Sequence, residues 1–146
     1  MNSIVFTIGY EGRSIDDFVN ILIENGIEQL LDVREIPISR KAGFSKNRLA
    51  ELLKESGISY IHMKELGSPK EIRDNLHHTH DYEAFFKAYQ YYIGTHFSLV
   101  QTAWEHVISK KTCIMCFEKN PCECHRSVLA QYLKTSMPLI DEVVNL

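Results

Sequence analysis

The stretch Ser3-Ile4-Val5-Phe6-Thr7-Ile8-Gly9-Tyr10-Glu11-Gly12-Arg13-Ser14-Ile15-Asp16-Asp17-Phe18 carries the grammar of the whole chain. Ser3 to Ile8 is a β-branched and aromatic run of strand length, Gly9 to Arg13 breaks it, and Ser14 opens a helix. Ser14 stands where an N-cap belongs, with Asp17 three residues on, and Ile15, Phe18, Val19, Leu22 and Ile23 recur at helical spacing until Asn25-Gly26. The unit is strand, loop, helix.

The same order returns along the chain. Gln29 to Val33 is an apolar strand; a loop with Pro37, Ser39, Arg40, Lys41 and Gly43 follows, and Ser45 caps a helix through Leu49, Leu52 and Leu53 to Gly57. Ile58 to Met63 is a third strand, less evenly buried, stopped by Leu66-Gly67-Ser68-Pro69. Lys70 to His80 is polar, a loop or short helix whose His77, His78 and His80 face solvent. Tyr82 to Ser109 is helical by pattern, divided at Gly94, and its aromatic stripe from Phe85 to Trp104 reads as core. Thr112 to Phe117 is an apolar strand, a helix follows through Val128, Leu129, Tyr132 and Leu133, and Pro138 to Val144 reads as a last strand. Strands alternating with helices predict an α/β domain over residues 1–146, with a mostly parallel sheet and helices on both faces.

Composition agrees with an ordinary globular chain. Its 146 residues are 45% hydrophobic and 24% charged, which disfavours disorder and fibrous classes. A net charge of −3 argues against coating nucleic acid through bulk positive charge and leaves a local basic site open, with Arg40 to Arg48 the most basic segment. No apolar run reaches the ~20 residues of a membrane helix, and the N-terminus has no signal-peptide pattern, so the expected location is the cytoplasm, with reduced thiols.

In open α/β sheets ligands sit outside the carboxyl ends of the strands. Three polar clusters follow strands here: Tyr10 to Arg13, Asp32 to Arg40, and Glu118 to Arg126. They predict one shared sheet edge where Arg13, Arg34, Arg40 and Arg126 gather to hold a phosphate or carboxylate, with a helix N-terminus adding to the attraction. The competing reading pairs these arginines with Asp32, Glu11, Glu35 and Glu118 as loop fasteners.

All four cysteines lie between Cys113 and Cys124. Cys124 near a helix start, beside His125 and Arg126, has the setting of a thiolate nucleophile; alternatively it is a small, partly buried residue. If Asn120-Pro121 starts the helix instead, Cys122, His125, Arg126 and Leu129 share a face and Cys124 turns away. Cys113 and Cys116 differ by an odd number within a strand, so they point to opposite faces and do not ligate one ion. A disulfide between Cys122 and Cys124 is disfavoured by the short step between them. No metal site is assigned, and no cofactor is specified.

With those clusters in view, the chain resembles the domain of unknown function 488 family. The matching stretches are Thr7-Ile8-Gly9-Tyr10, Asp32-Val33-Arg34 with Pro37 and Ser39-Arg40, Gly43-Phe44-Ser45, Gly57-Ile58-Ser59-Tyr60 with His62, Leu66-Gly67, and Cys116-Phe117-Glu118 followed by Cys124-His125-Arg126. The resemblance implies a single Rossmann-like three-layer α/β domain. It also directs attention to Cys116, Glu118, Cys124, His125 and Arg126, leaving Cys113 and Cys122 as extras; Ser68 stands where a second glycine often follows Leu-Gly.

The leading functional expectation is an enzyme, a hydrolase or transferase, acting on a phosphate-containing nucleotide or nucleic acid. Glu118 or His125 would be the acid/base and Cys124 the nucleophile, while Arg13, Arg34, Arg40, Arg126, Tyr10, Asp32 and Ser39 would bind substrate. The alternatives are a non-catalytic anion- or nucleotide-binding module and, more weakly, a metal or redox protein. No membrane partner is expected, and the oligomeric state is left open.

Overall fold

The computed structural model describes residues 3–146. Its centre is a five-stranded sheet formed by β1 (Ser3–Gly9), β2 (Gln29–Asp32), β3 (Ser59–His62), β4 (Thr112–Cys116) and β5 (Ile140–Asn145). The strand order is β3-β2-β4-β1-β5, and every pairing is parallel. The helices are α1 (Ile15–Glu24), α2 (Lys46–Glu55), α3 (Lys70–Thr79), α4 (Tyr82–Gly94), α5 (Phe97–Ser109) and α6 (His125–Ser136). Short 3-10 turns occupy Lys64–Leu66 and Pro121–Glu123. This is the Rossmann-like α/β class, with β4 lying between β1 and β2.

Direction of travel decides which face each helix covers. From β1 to β2 to β3 the chain moves toward one edge, and from β3 through β4 to β5 it returns across the sheet. Constant right-handed crossovers then require the two sets of helices on opposite faces. Phe18 and Leu22 of α1 and Leu49 and Leu53 of α2 accordingly pack with Phe6, Ile8, Leu30, Cys113 and Met115. Tyr89 and Ile93 of α4, Val100 and Val107 of α5 and Leu129 and Leu133 of α6 pack with Val5, Leu31, Ile114 and Cys116. The strand-parity expectation holds: Cys113 and Cys116 lie in different cores on opposite faces of β4.

Local chemistry sets the ends. Ser14 Oγ accepts the Asp17 N–H at 3.1 Å, so α1 begins where the sequence pattern placed it. Ser45 precedes α2 without capping it, because its hydroxyl is engaged with Ser39 N–H and C=O instead. The segment from Lys70, read as loop or short helix, is helix α3, and the long aromatic segment breaks after Gly94 at Thr95-His96. β3 is partly buried along its length, as an edge strand with one neighbour should be.

Two close backbone approaches bring the loops at the carboxyl ends together. A Cβ at Gly9 would stand 1.7 Å from the Glu118 carbonyl oxygen, and one at Gly67 would stand 2.4 Å from the Glu35 nitrogen. The Thr7-Ile8-Gly9-Tyr10 and Leu66-Gly67 motifs therefore mark places where one loop presses on another. Gly9→Ala should destabilise the fold by about 1–3 kcal/mol or more in urea denaturation, because the new methyl meets backbone rather than a movable side chain. Gly94→Ala, which meets only the Tyr132 hydroxyl at 3.9 Å, is the control and should stay within ~1 kcal/mol of the parent. Equal stability of the two variants would contradict the proposed packing.

Candidate functional site

β2 and β4 are neighbours, yet the chain leaves β2 toward β3 at one edge and leaves β4 toward β5 at the other. Diverging connections open a crevice at the carboxyl ends of adjacent parallel strands. A cavity of about 310 Å³ lies there, lined by Tyr10 after β1, Arg34 and Glu35 after β2, Ser68, and Cys116, Phe117 and Glu118 at the end of β4. His125 at the start of α6 and Glu123 before it complete that side, while Arg73, Leu76, His77, His80, Tyr82 and Phe85 close it from α3 and α4.

The β2 side is built around a buried ion pair. Asp32 is fully buried and Arg34 is 6% exposed; their side chains meet at 2.8 Å. Arg34 also donates to the Phe44 carbonyl at 2.7 Å and to the Tyr10 hydroxyl at 3.4 Å, and its guanidinium carbon lies 5.3 Å from the Tyr10 ring centroid. Burial works against the Arg34 charge, but the hydrogen bonds and charge of Asp32, with help from Tyr10, outweigh it and raise its pKa. The Tyr60 hydroxyl donates to the second Asp32 oxygen at 2.5 Å; burial first, and then the Asp32 carboxylate, push its pKa up. Tyr10 is held in turn by stacking on Phe44 at 4.5 Å and by the edge of Phe117 at 5.3 Å.

The β4–α6 side carries the cysteines, Glu118 and His125. Asn120 caps the 3-10 turn through the Cys122 N–H, and Cys124 caps α6, its sulfur accepting the Arg126 N–H at 3.5 Å. Both starts foreseen in the sequence therefore exist in series. Cys124 is buried and is joined to Cys116, with an Sγ–Sγ distance of 1.98 Å and a Cα–Cα distance of 7.4 Å. This pairing departs from the reduced thiols that the sequence predicts; the two cysteines meet because the end of β4 and the start of α6 face each other across the turn. Glu118 Oε2 lies 3.6 Å from Cys116 Sγ, and burial raises its carboxyl pKa above the usual range.

His125 is 8% exposed, and its Nε2 lies 2.9 Å from the Val33 carbonyl. A carbonyl only accepts, so Nε2 carries the proton and Nδ1 is left as a bare lone pair, 3.9 Å from Cys124 Sγ. Burial pushes the imidazole pKa down to about 4. Tyr89 packs its edge against the ring at 5.0 Å and donates its hydroxyl to the Leu66 carbonyl at 2.5 Å.

Several residues expected to bind an anion are spent on construction. Arg13 donates to the Gly9 carbonyl at 3.0 Å and the Leu146 carbonyl at 3.2 Å, and Arg40 is exposed outside the cavity. Arg126 has no exposed surface; it donates to the Glu118 and Lys119 carbonyls, and burial lowers its pKa. Ser39 serves its own loop by accepting the Lys41 N–H and pairing with Ser45. Asp32 does not line the cavity and reaches it only through its partner Arg34. Of the four arginines, only Arg34 lines the cavity, and Cys116 rather than Cys124 is the cysteine that does.

The cation that sequence reasoning missed is Arg73. It donates to the Ser68 carbonyl and pairs with Glu35 at 3.2 Å, keeping further N–H donors free at 29% side-chain exposure. A signal was present, since Arg73, Leu76 and His77 recur at spacings of three and four on one face of α3, and the cap residue His80 follows three positions on.

Two stability measurements test this wiring. Arg34→Met leaves Asp32 buried without its cation and should cost roughly 3–5 kcal/mol in urea denaturation; a loss below ~1 kcal/mol would show that Asp32 finds its stabilisation elsewhere. For His125, the unfolded imidazole titrates near 6.5 and the folded one at about 4, so the unfolded state binds the extra proton between those values. The stability contributed by neutral His125 is full above pH 6.5 and is lost as pH falls toward 4. The wild type should therefore lose Tm from pH 7 to pH 4.5 more steeply than His125→Gln, and parallel curves would contradict a buried neutral ring.

Among curated proteins and among solved structures, no match to the chain was found. The family described as "Domain of unknown function DUF488" matches residues 14–133, which run from the cap of α1 to the last turn of α6 and include Arg34, Arg73, Cys116, Glu118, Cys124 and His125. The match covers well over half of the chain, with β2, β3, β4 and nearly every residue lining the cavity, and the chain therefore belongs to the DUF488 family.

Proposed function

We propose that the chain is an enzyme acting on a small substrate with an anionic group, a phosphate or carboxylate, bound in the cavity between the β2 and β4 loops. The observation that carries this reading is one cavity lined both by a cation with unused donors, Arg73, beside the engaged Arg34, and by Cys116, Glu118 and His125. Its volume of about 310 Å³ suits a small molecule such as a mononucleotide rather than a nucleic-acid duplex. Each guanidinium already faces a carboxylate, Arg34 to Asp32 and Arg73 to Glu35, so anion recognition rests on directed N–H donors more than on net charge.

In this reading Arg73 takes the anionic oxygens, Tyr10 and Arg34 orient the substrate, and Glu118 transfers the proton at the reacting end. His125 offers an acceptor at Nδ1 while its Nε2–H is held by Val33. Cys124 is not a free nucleophile here, because its sulfur is joined to Cys116. A cytoplasmic, reducing setting belongs to this proposal, since it would open that bond. Among the described residues no helix is long and apolar enough to cross a membrane.

The reduced protein should be screened against phosphate- and carboxylate-bearing metabolites, following substrate loss and Tm together. With a substrate in hand, Glu118→Gln should lower kcat by about 10²-fold or more with Tm retained. Arg73→Met should raise KM about tenfold or more with a smaller change in kcat. Ligands that raise Tm while none is converted would replace the enzyme reading by that of a binding module.

A further inference from the structure

We propose that Cys116, Cys124 and His125, once the two sulfurs are reduced, form a three-ligand site for a zinc-type divalent cation, its fourth position opening into the cavity. The inference rests on ligand geometry and holds whether or not the cavity turns over a substrate.

One ligand atom from each of the three buried residues can be chosen so that all lie within 4.8 Å of one another. Around a tetrahedral zinc ion with bonds of ~2.3 Å to sulfur and ~2.0 Å to nitrogen, ligand atoms stand roughly 3.5–3.8 Å apart. The 3.9 Å between Cys124 Sγ and His125 Nδ1 is about 0.4 Å wider than the sulfur–nitrogen spacing of such a site, a gap that a small rotation of either side chain closes. Cys116 and Cys124 have Cα atoms 7.4 Å apart, wider than the ~4.4–6.8 Å common for disulfides, so their side chains have room to part around an ion. Two sulfurs and an imidazole favour zinc, cobalt or iron over magnesium or calcium.

The surrounding hydrogen bonds are those a metal site needs. A ligating histidine usually donates its other ring N–H to a carbonyl or carboxylate, which fixes tautomer and ring direction. His125 does so at Val33, leaving Nδ1 toward the sulfurs. Arg126 directs its backbone N–H at Cys124 Sγ and a guanidinium N–H at Cys116 Sγ, both at 3.5 Å, which offsets thiolate charge. The ligands come from the end of β4 and the first turn of α6, two elements fixed by the core. Cys116 and His125 line the cavity, so an open coordination position would face it, with the Glu118 carboxylate 3.6 Å from Cys116 Sγ at its edge.

Oxidation and metal binding exclude each other at this site. A dithiol reductant supplies two electrons and two protons, leaving as its own disulfide and giving the Cys116 and Cys124 thiols. Binding a divalent ion to both thiols then releases those two protons and yields a dithiolate complex.

The test uses the full chain without a tag, reduced and stripped of metal, and titrated with Co²⁺ alone. About one equivalent should produce thiolate-to-cobalt charge-transfer absorption with tetrahedral d–d bands, and Zn²⁺ should displace them. Cys113→Ser and Cys122→Ser should behave as wild type, while Cys116→Ser, Cys124→Ser and His125→Gln should each weaken binding at least about tenfold. A measurement free of variants guards against misfolding: zinc should protect the Cys116 and Cys124 thiols of the wild type from alkylation, and prior oxidation should block uptake. Absent charge-transfer absorption in the reduced wild type, unprotected thiols, or unchanged binding in the three folded ligand variants would overturn the proposal. Metal-loaded protein that converts no substrate would count against the enzyme reading alone.

Discussion

A guanidinium buried beneath the β4–α6 turn is the interaction on which this site depends. Arg126 has no exposed surface, and it gathers the carbonyls of Glu118 and Lys119 together with the sulfur of Cys116. Removing such a cation from water costs several kcal/mol, and charge-assisted hydrogen bonds of ~1.5–3 kcal/mol each offset that cost only if the carbonyls stay in place. The turn is therefore held as firmly as the arginine. Its Nε is buried without a partner, a residual penalty the other donors must cover. The Glu118 carbonyl held by Arg126 is also the atom against which Gly9 presses, so one interaction sets both the turn and the end of β1.

The β2 side repeats this use of charge as scaffolding. Arg34 spends donors on Asp32, Phe44 and Tyr10, and Asp32 accepts from Tyr60 as well, so residues from four loops and strands meet at one buried pair. Such a pair is weak evidence for net stability but is costly to break on one side only. It follows that the groups carrying most charge at this sheet edge are the least free to meet a ligand. Arg73, in an intermediate environment on α3, retains more of that freedom.

The alternation of strands and helices was legible because each element announces itself locally, by period and by end signals such as the Ser14 cap and the left-handed Gly26 that follows the Asn25 cap. Parity within one strand was enough to part Cys113 from Cys116. The destinations of long side chains were not legible: Arg13 turns back to Gly9 and Leu146, and Arg126 turns inward, choices fixed by carbonyls that only the folded turn presents. The meeting of Cys116 with Cys124 was hidden for the same reason, since seven residues of irregular turn separate them. The site face of α3 was readable in principle, but its histidines invited a reading as solvated loop; His77 and His80 are exposed and line the cavity as well.

The position of β4 explains why its turn, and not the glycine-containing loop after β1, borders the crevice. In the usual doubly wound order β1 sits beside β2, and the loop following β1 borders the crevice where connections diverge. Here β4 is inserted between them, and the divergence falls between β2 and β4. The loop after β1 is displaced by one strand and contributes support: Tyr10 bonds through its backbone to Cys116 and stacks on Phe44, while Glu11 braces Phe117 and Lys119. The strand at the crevice delivers Cys116 and Glu118, and the following helix delivers His125 from its first turn. A single exchange in strand order thus makes one loop the brace and places the cysteine, carboxylate and imidazole of the other at the crevice.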